Sequence, residues 1–391
     1  MTTIKRLDPE DDAHAIFALS QFAFQYELSE QEFNERKADA SRHIIWGMMD
    51  HDQIAAKVHL VPLSCYINGK SFEMGGVSSV ATWPEYRRQG AVKQLLQTAL
   101  QYMRANGQTL SLLHPFSFGF YRKYGWEYAF SQKTYRISIA RLKQSWDVDG
   151  YVRRLHNDIP VLDQIYTTYA QHYNGMLVRD NKWWKERVLK NNQQQAAAYD
   201  AHGQPQGYIL YSVKEGQLMV HELIAETVDA YKQLLRFIAN HDSMAETVTM
   251  TVPENDPLPL LVDEPRFEQT INPYFMARIV DVHAFLKQYP FLNEGAESVA
   301  LHVTDAFLPE NNGTYQLSQT GSGPNVTHLR TESSREASGV HCNVQQLTVM
   351  LMSFKRPLEL YRAGLIAGDR RAVECLESMI PDQQTYLPDF F

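Results

Sequence analysis

Residues 79–96 read SVATWPEYRRQGAVKQLL, from Ser79 to Leu96. The stretch begins like a strand and meets Pro84, which cannot donate to a sheet ladder, so the strand must stop or splay there. Arg87, Arg88 and Gly90 follow, and apolar residues then recur at helical spacing from about Gly90 to Ala105. A helix start leaves backbone N–H groups unpaired and carries partial positive charge. Gly90 lets a ligand approach the backbone closely, and the two arginines add forked donors suited to phosphate oxygens. Together they make an anion site, most naturally for a pyrophosphate. A splayed strand would also leave the backbone of Val80 and Thr82 free to pair with the amide-bearing arm of a cofactor. The plain alternative is an exposed basic helix start that binds nothing, and the GxxxxGK[ST] pattern of a nucleotide P-loop is absent.

Working outward, residues 1–140 alternate between strand and helix patterns. Asp11 to Tyr26 has helical apolar spacing, Ile44–Met49 and Ile54–Pro62 read as strands, and Asn68-Gly69 marks a tight hairpin turn. Residues 196–239 repeat the order of elements found in 44–105, and YKQLLRFIA resembles AVKQLLQTA in its apolar pattern. The second copy lacks Arg-Arg-Gln-Gly. It reads as a degenerate repeat that keeps the packing and has lost the anion site. Residues 286–391 change character: short alternating strands near 300–305, 313–318 and 326–330, loops rich in Asn, Gly, Ser and Pro (309–313 and 320–325), then helices at 343–354, 357–363 and 369–379. The chain closes on PDQQTYLPDFF, and two terminal phenylalanines are expected to be buried, since free tails are normally polar.

A chain of 391 residues suggests two or three domains. Its 44% hydrophobic and 21% charged residues are those of a globular protein. The formal net charge of −8 argues against a nucleic-acid partner; plain solubility accounts for it, and it is also compatible with a cationic substrate. Cys65, Cys342 and Cys375 are far apart and form no metal or disulfide pattern. No metal is expected. Reduced thiols, a charged N-terminus and the lack of a spanning apolar run point to a cytoplasmic protein with no membrane partner.

At this point the residues resemble a family. VATWPEYRRQGAV is similar to the acetyl-CoA signature of the GNAT N-acetyltransferases, roughly Arg/Gln-x-x-Gly-x-Gly/Ala, read here from Arg87 to Val92, with Val92 in place of the usual small residue. LLHPFSFGFYRKYGWEYA, residues 112–129, resembles the Y-x-[KR]-[FY]-G-[FWY] segment of the Eis-like (enhanced intracellular survival) acetyltransferases. The resemblance implies a mixed α/β (α+β) chain of three parts. These are an N-terminal GNAT domain (1–145), a degenerate second GNAT-like domain (146–285) and a sterol carrier protein-like domain (286–391) that brings the last residue to the site. It also implies a homohexamer.

For chemistry, the resemblance implies direct transfer of acetyl from acetyl-CoA to a primary amine, an aminoglycoside or other polycation being one candidate. Tyr121 would be the general acid and the Phe391 α-carboxylate the general base. A phenol with a reference pKa of about 10 can donate at neutral pH, whereas a terminal carboxylate of about 3.3–3.7 is a weak base unless desolvated. The cofactor would meet Val80, Ala81 and Thr82, set its pyrophosphate on Arg88, Gln89, Gly90, Ala91, Val92 and Lys93 with Arg87 nearby, and touch Phe116 and Ser117 farther along. Tyr124 and Tyr128 are alternative acids, and His114 and Glu73 alternative bases. Tyr26, Trp46 and Asp389 are candidate pocket walls, with core or surface placement an equal reading. The rival functions are a protein-lysine or small-metabolite acetyltransferase, or an acyl-CoA or lipid carrier without catalysis.

Overall fold

Asn68 and Gly69 adopt positive φ, 48° and 76°. That geometry matches the twist of the strands they join and closes a long hairpin. The computed structural model containing it describes residues 3–190, 193–292, 298–320, 323–329 and 338–391. Gly321-Ser322, within the expected 320–325 loop, lies outside the described residues.

The strands are β1 (Thr3–Leu7), β2 (Ile44–Asp50), β3 (Gln53–Ile67), β4 (Lys70–Thr82), β5 (Leu110–Leu113), β6 (Glu127–Tyr128), β7 (Ser131–Ser138), β8 (Tyr151–Leu155), β9 (Gln194–Tyr199), β10 (Pro205–Lys214), β11 (Gly216–Ala225), β12 (Ala245–Val252), β13 (Glu268–Pro273), β14 (Met276–Ile279), β15 (Val299–Thr304), β16 (Gly313–Thr320), β17 (Gly323–Leu329), β18 (Val340–Asn343) and β19 (Ala367–Gly368). They form three mixed sheets, in the orders β1-β2-β3-β4-β5-β14-β6, β13-β7-β12-β11-β10-β9-β8 and β17-β16-β15-β18-β19. The chain is thus mixed α/β, as its sequence suggests.

The first two sheets exchange strands. β7 leaves the first half of the chain to pair with β12, and β14 returns to pair with β5. Each sheet needs a strand that the other half supplies, so the two are tied by backbone hydrogen bonds.

The helices bearing on the site are α1 (Ala13–Phe24), α2 (Glu30–Ala40), α3 (Ala91–Ala105), α4 (Phe118–Arg122), α5 (Ile159–Ala170), α6 (Asn181–Trp183) and α7 (Val228–Ala239). On the first sheet, α3 covers the face built from Ala56, Val58, Leu60 and Val77, and α1 covers the face of Ile45 and Ala81. α2 has almost no apolar side to bury. A capping box holds its start, with Glu32 N–H donating to Ser29 Oγ (3.3 Å) and Ser29 N–H to Glu32 Oε2 (2.9 Å).

The third unit is pinned to the first sheet by a buried ion pair. Arg278 of β14 donates from Nη2 to Asp305 Oδ2 (2.5 Å), and Asp305 Oδ1 accepts from the Phe307 and Leu308 amides (3.0 and 2.9 Å). Arg278 is fully buried. Asp305→Ala therefore leaves an uncompensated charge in the core. It is expected to cost about 3–5 kcal/mol, read as a lower midpoint in urea-induced unfolding.

Candidate active site

β4 and β5 are paired in parallel only from Met74↔Leu110 to Val77↔Leu113. Beyond that rung the two strands part, and the β5-facing edge of Ser78 to Thr82 is left open. The sequence suggested that Pro84 would force the splay. The structure places the fork seven residues earlier, and a bulge follows it at once. His59 pairs with Ser78 and Lys57 with Ala81, so Ser79 and Val80 together oppose Val58. Ser79 takes φ 50°, and the extra residue bends and twists the strand away from β5. Val80 and Thr82 are partly exposed, while the Ala81 side chain is buried against α1 and offers only its backbone.

β4 leads into a short turn at Pro84–Tyr86, held to the end of β2 by the Tyr86 hydroxyl, which donates to Asp50 Oδ2 (2.8 Å). Arg88 and Gly90 then adopt positive φ, 62° and 84°. Gly90 is the N-cap of α3 and has no side chain to bond the first-turn amides. A Cβ there would meet nothing within 4 Å, so backbone conformation rather than crowding selects glycine. Arg87, Arg88, Gln89 and Lys93 are exposed around this uncapped end. Among the described residues no carboxylate pairs with Arg87, Arg88 or Lys93. Gln89 instead donates to the Glu85 carbonyl (2.9 Å). Ala91 is buried and Val92 packs on the α3-side core, so each can serve only through its N–H. The whole is an open, cationic helix start fed by a strand with a free edge, the geometry that binds a phosphorylated, extended ligand.

The second copy differs where the sequence says it should. β11 and β12 also part, after Val220↔Met250, while β11 runs on to Ala225. But α7 is capped: Thr227 accepts from the Ala230 N–H (3.2 Å) and Asp229 fills the first turn. That end is satisfied and negative, and cannot hold an anion.

Tyr121 lies on α4 and is 4% exposed. It belongs to the α3-side cluster with Val77 and Leu113, the last rung before the fork, and its ring makes edge contacts with Phe116, Phe120 and Trp126. Burial, reinforced by Tyr124, raises its phenol above the ordinary range, so it stays protonated. Phe116 is 72% exposed, and Ser117 caps α4, its hydroxyl accepting from Phe120 N–H (3.4 Å).

Phe391 reaches the neighbouring rung, Gly76↔Leu112, from the opposite face. A Cβ on Gly76 would sit 2.5 Å from its ring, and Phe275 lies 5.2 Å away. The expectation that both last residues are buried holds for Phe391 alone. Phe390 is 56% exposed, with its ring 5.1 Å from His114. What fixes the tail is Asp389, which is a buried ion-pair partner rather than a pocket wall. Arg179 Nε donates to both its oxygens (3.1 and 3.2 Å), and Trp183 Nε1 donates to Oδ1 (2.8 Å). The same guanidinium bonds Glu222 of β11 (2.6 and 3.0 Å) and stacks on Tyr166 (3.8 Å). Burial works against the charge on Arg179, but Asp389 and Glu222 outweigh it.

The other candidates scatter. Trp46 packs against Tyr102 (5.3 Å) under α3, and Tyr26 carries Arg36 over its ring (4.6 Å). Tyr124 packs on Phe307 (5.0 Å), and the Tyr128 hydroxyl is bound to Ser131 (2.5 Å). His114 is exposed, between Tyr274 and Phe390, and partial burial lowers its pKa. Glu73 accepts from Ser64 (3.1 Å) and lines a cavity of about 260 Å³ with Arg42 and Trp183, away from the fork. Sequence reading missed Arg179 and Ser79, and also the buried Lys57 and His59. The available signal was two ionisable residues inside the apolar run IAAKVHLV.

A family model described as an acetyltransferase (GNAT) domain matches residues 3–129, a second of the same description matches 175–279, and one described as a sterol carrier protein domain matches 282–388. An uncharacterized N-acetyltransferase of Streptomyces avermitilis is 24% identical over 359 residues, 85% of this chain and 86% of that one. N-acetyltransferase Eis of Mycobacterium tuberculosis is 26% identical over 257 residues, 59% of this chain and 61% of its own length. A solved structure of a conserved protein of unknown function from Enterococcus faecalis superposes over the whole of both chains with a TM-score of 0.92 at 24% identity.

Replacing Arg179 by Met leaves Asp389 and Glu222 buried without their cation. The tail is expected to detach, and carboxypeptidase should then trim Phe391 and Phe390 far faster than in the parent, as followed by mass spectrometry. Equal trimming rates would show that the ion pair does not hold the tail.

Proposed function

This chain is an Eis-like N-acetyltransferase of the GNAT family, and from that premise we propose that it transfers acetyl directly from acetyl-CoA to a primary amine. The observation that carries this reading is the uncapped start of α3, ringed by Arg87, Arg88 and Lys93, at the end of a strand whose edge is open from Ser78 to Thr82. An extended thiol arm can pair along Val80–Thr82 while its pyrophosphate meets the amides from Gly90 to Lys93. The thioester then lies at the fork, where Tyr121 and Phe391 approach from opposite faces. Phe116, exposed at the mouth, and Ser117 flank the arm.

In this scheme the amine loses a proton to the Phe391 α-carboxylate and attacks the acetyl carbonyl, and Tyr121 protonates the departing thiolate. Tyr121 enters the transfer with its proton in place, because burial raises its phenol. The base role is given to the carboxylate because the Phe391 ring, seated against Gly76 and Phe275, anchors the end of the chain beside the fork. Polycationic amines, aminoglycosides among them, fit a chain of net charge −8. Division at 145/146 and 285/286, a homohexameric assembly and a cytoplasmic setting belong to the same proposal. No helix among the described residues is long and apolar enough to cross a membrane.

The test is CoA thiol release from acetyl-CoA, followed with a thiol-reactive dye, across aminoglycosides, polyamines, lysine peptides and arylamines. Tyr121→Phe and deletion of Phe391 should each lower kcat by about 10²–10⁴-fold, the usual worth of a positioned acid or base. Arg88→Ala should raise KM for acetyl-CoA by about tenfold with kcat little changed, as expected for the loss of one charged hydrogen bond. Tight CoA binding with no release from any amine would favour the carrier reading.

A further inference from the structure

Lys57 and His59 lie on β3, on the sheet face that also carries Gly76 and the Phe391 ring. Lys57 is fully buried, yet it has no carboxylate partner among the described residues. Its Nζ touches three groups: His59 Nε2 at 3.0 Å, the Ser79 carbonyl at 3.2 Å and Ser79 Oγ at 2.7 Å. As an ammonium it donates to all three. As a neutral amine it donates to His59 and the carbonyl and accepts from the Ser79 hydroxyl. Only the hydroxyl has to turn, so both protonation states keep every hydrogen bond.

The chain of contacts continues. His59 Nδ1 lies 3.2 Å from His43 Nδ1, and His43 Nε2 lies 3.8 Å from Asp39 Oδ2 on α2. His59 Nε2 faces an N–H donor, so its proton sits on Nδ1. His43 Nδ1 must then accept, which leaves the His43 proton on Nε2, toward Asp39. Every link therefore points the same way, from the β4 bulge outward. Arg187 bonds the far carboxylate (2.5 Å), and Arg187, Arg42 and Lys57 are the cations that act on His43. Ser20 of α1 touches Ser79 Oγ at 3.4 Å. At the inner end Ser79 is partly exposed at the fork, and at the outer end His43 is partly exposed.

We propose that Ser79, Lys57, His59 and His43 form a proton relay that carries one proton per turnover from the acetyl-transfer fork to Asp39 and solvent. The idea rests on the acetyl-transfer reading, whose stoichiometry requires such an exit. An ammonium and acetyl-CoA give an amide, a thiol and one proton. The N–C bond forms and the C–S bond breaks. Nitrogen loses two protons, of which one goes to sulfur and one must leave. In the relay, the Phe391 carboxylate hands that proton to the Ser79 hydroxyl at the fork, and Ser79 passes its own to neutral Lys57. Lys57 passes one to His59 Nε2, His59 gives its Nδ1 proton to His43 Nδ1, and His43 releases its Nε2 proton. Each group then returns to its starting charge, and the relay resets when the two imidazoles turn over or exchange their ring protons, which restores His59 Nδ1–H and His43 Nε2–H before the next turnover. Burial lowers the lysine to about 7 and, against the pull of Asp39, His43 to about 4. Burial also takes His59 well below its usual value. Both imidazoles are thus neutral, as a relay requires. These are positioning and transfer groups, since none of them is placed against the substrate.

Two measurements on the full chain decide it. Two-bond ¹H–¹⁵N spectra of the histidine-labelled protein at neutral pH should show His59 as the Nδ1–H tautomer and His43 as Nε2–H. Either imidazole found charged, or in the opposite tautomer, overturns the relay. Kinetically, His59→Gln and the milder, partly exposed His43→Asn should each lower kcat by about tenfold or more, with KM for acetyl-CoA nearly unchanged. Added imidazole should restore the rate in a concentration-dependent way, using the amine that releases thiol fastest in the panel above. Unchanged kcat in both variants, or a loss that imidazole does not restore and that leaves the pH profile of the parent intact, sinks the relay alone. No thiol release from the parent protein with any amine sinks the acetyl-transfer reading, and with it the relay's role.

Discussion

One guanidinium holds the molecule's parts in register. Arg179, beside the short α6, is bonded to Glu222 from the second sheet and to Asp389 from the last segment of the third unit, with Tyr166 and Trp184 on its faces. Two carboxylates around one cation, all buried, would be costly without further donors. Trp183 and Tyr208 supply them, at 2.8 Å to Asp389 and 2.6 Å to Glu222. The consequence is positional. With Asp389 fixed, Phe391 two residues on is delivered to Gly76, where only a residue without a side chain leaves room for its ring. The glycine at the rung before the fork is therefore paired with the tail, not with its own sheet.

Two copies of one architecture show how little separates a site from a scaffold. Both sheets contain a parallel pair that parts partway along, and both send a helix from the longer strand. In the first copy the helix begins at Gly90 and its amides face solvent. In the second, a threonine hydroxyl and an aspartate occupy the same place. Glycine at an N-cap costs only a few tenths of a kcal/mol relative to Ser or Thr. An open anion site is thus nearly free in stability, and its loss needs only a change of cap. The strand exchange through β7 and β14 makes the first sheet depend on the second copy: without it the first sheet would lose β14, the strand between β5 and β6.

How much of this was legible depended on the range of the interaction involved. The Asn68-Gly69 turn, α3 and its cationic mouth, and the three short strands after residue 298 are encoded within a few neighbours and could be read directly. α2 was missed although Ser29 and Glu32 spell a capping box, because its sequence lacks the apolar period on which helix reading relies. The exchanged strands could not be read, since choice of sheet is a long-range pairing. Whether Asp389 walls a pocket or sits in the core could not be read from the sequence, because nothing within the tail announces a partner 210 residues away. The bulge at Ser79 was invisible for a similar reason: a non-glycine residue at positive φ within a strand is held there by its surroundings, here the Lys57 amine.

That amine bears on the bulge itself. A buried lysine without a carboxylate is usually a net cost, and a Met or Leu of similar volume would pack there with less penalty. The cost makes sense where the charge is intermittent and the contacts are permanent. Lys57 anchors the Ser79 carbonyl in either protonation state, so β4 keeps its bend while the proton comes and goes. An apolar replacement would leave that carbonyl without its donor at the point where the strand must turn away from β5. The shape of the fork and the chemistry at its floor therefore draw on one side chain, and a change there should disturb both together.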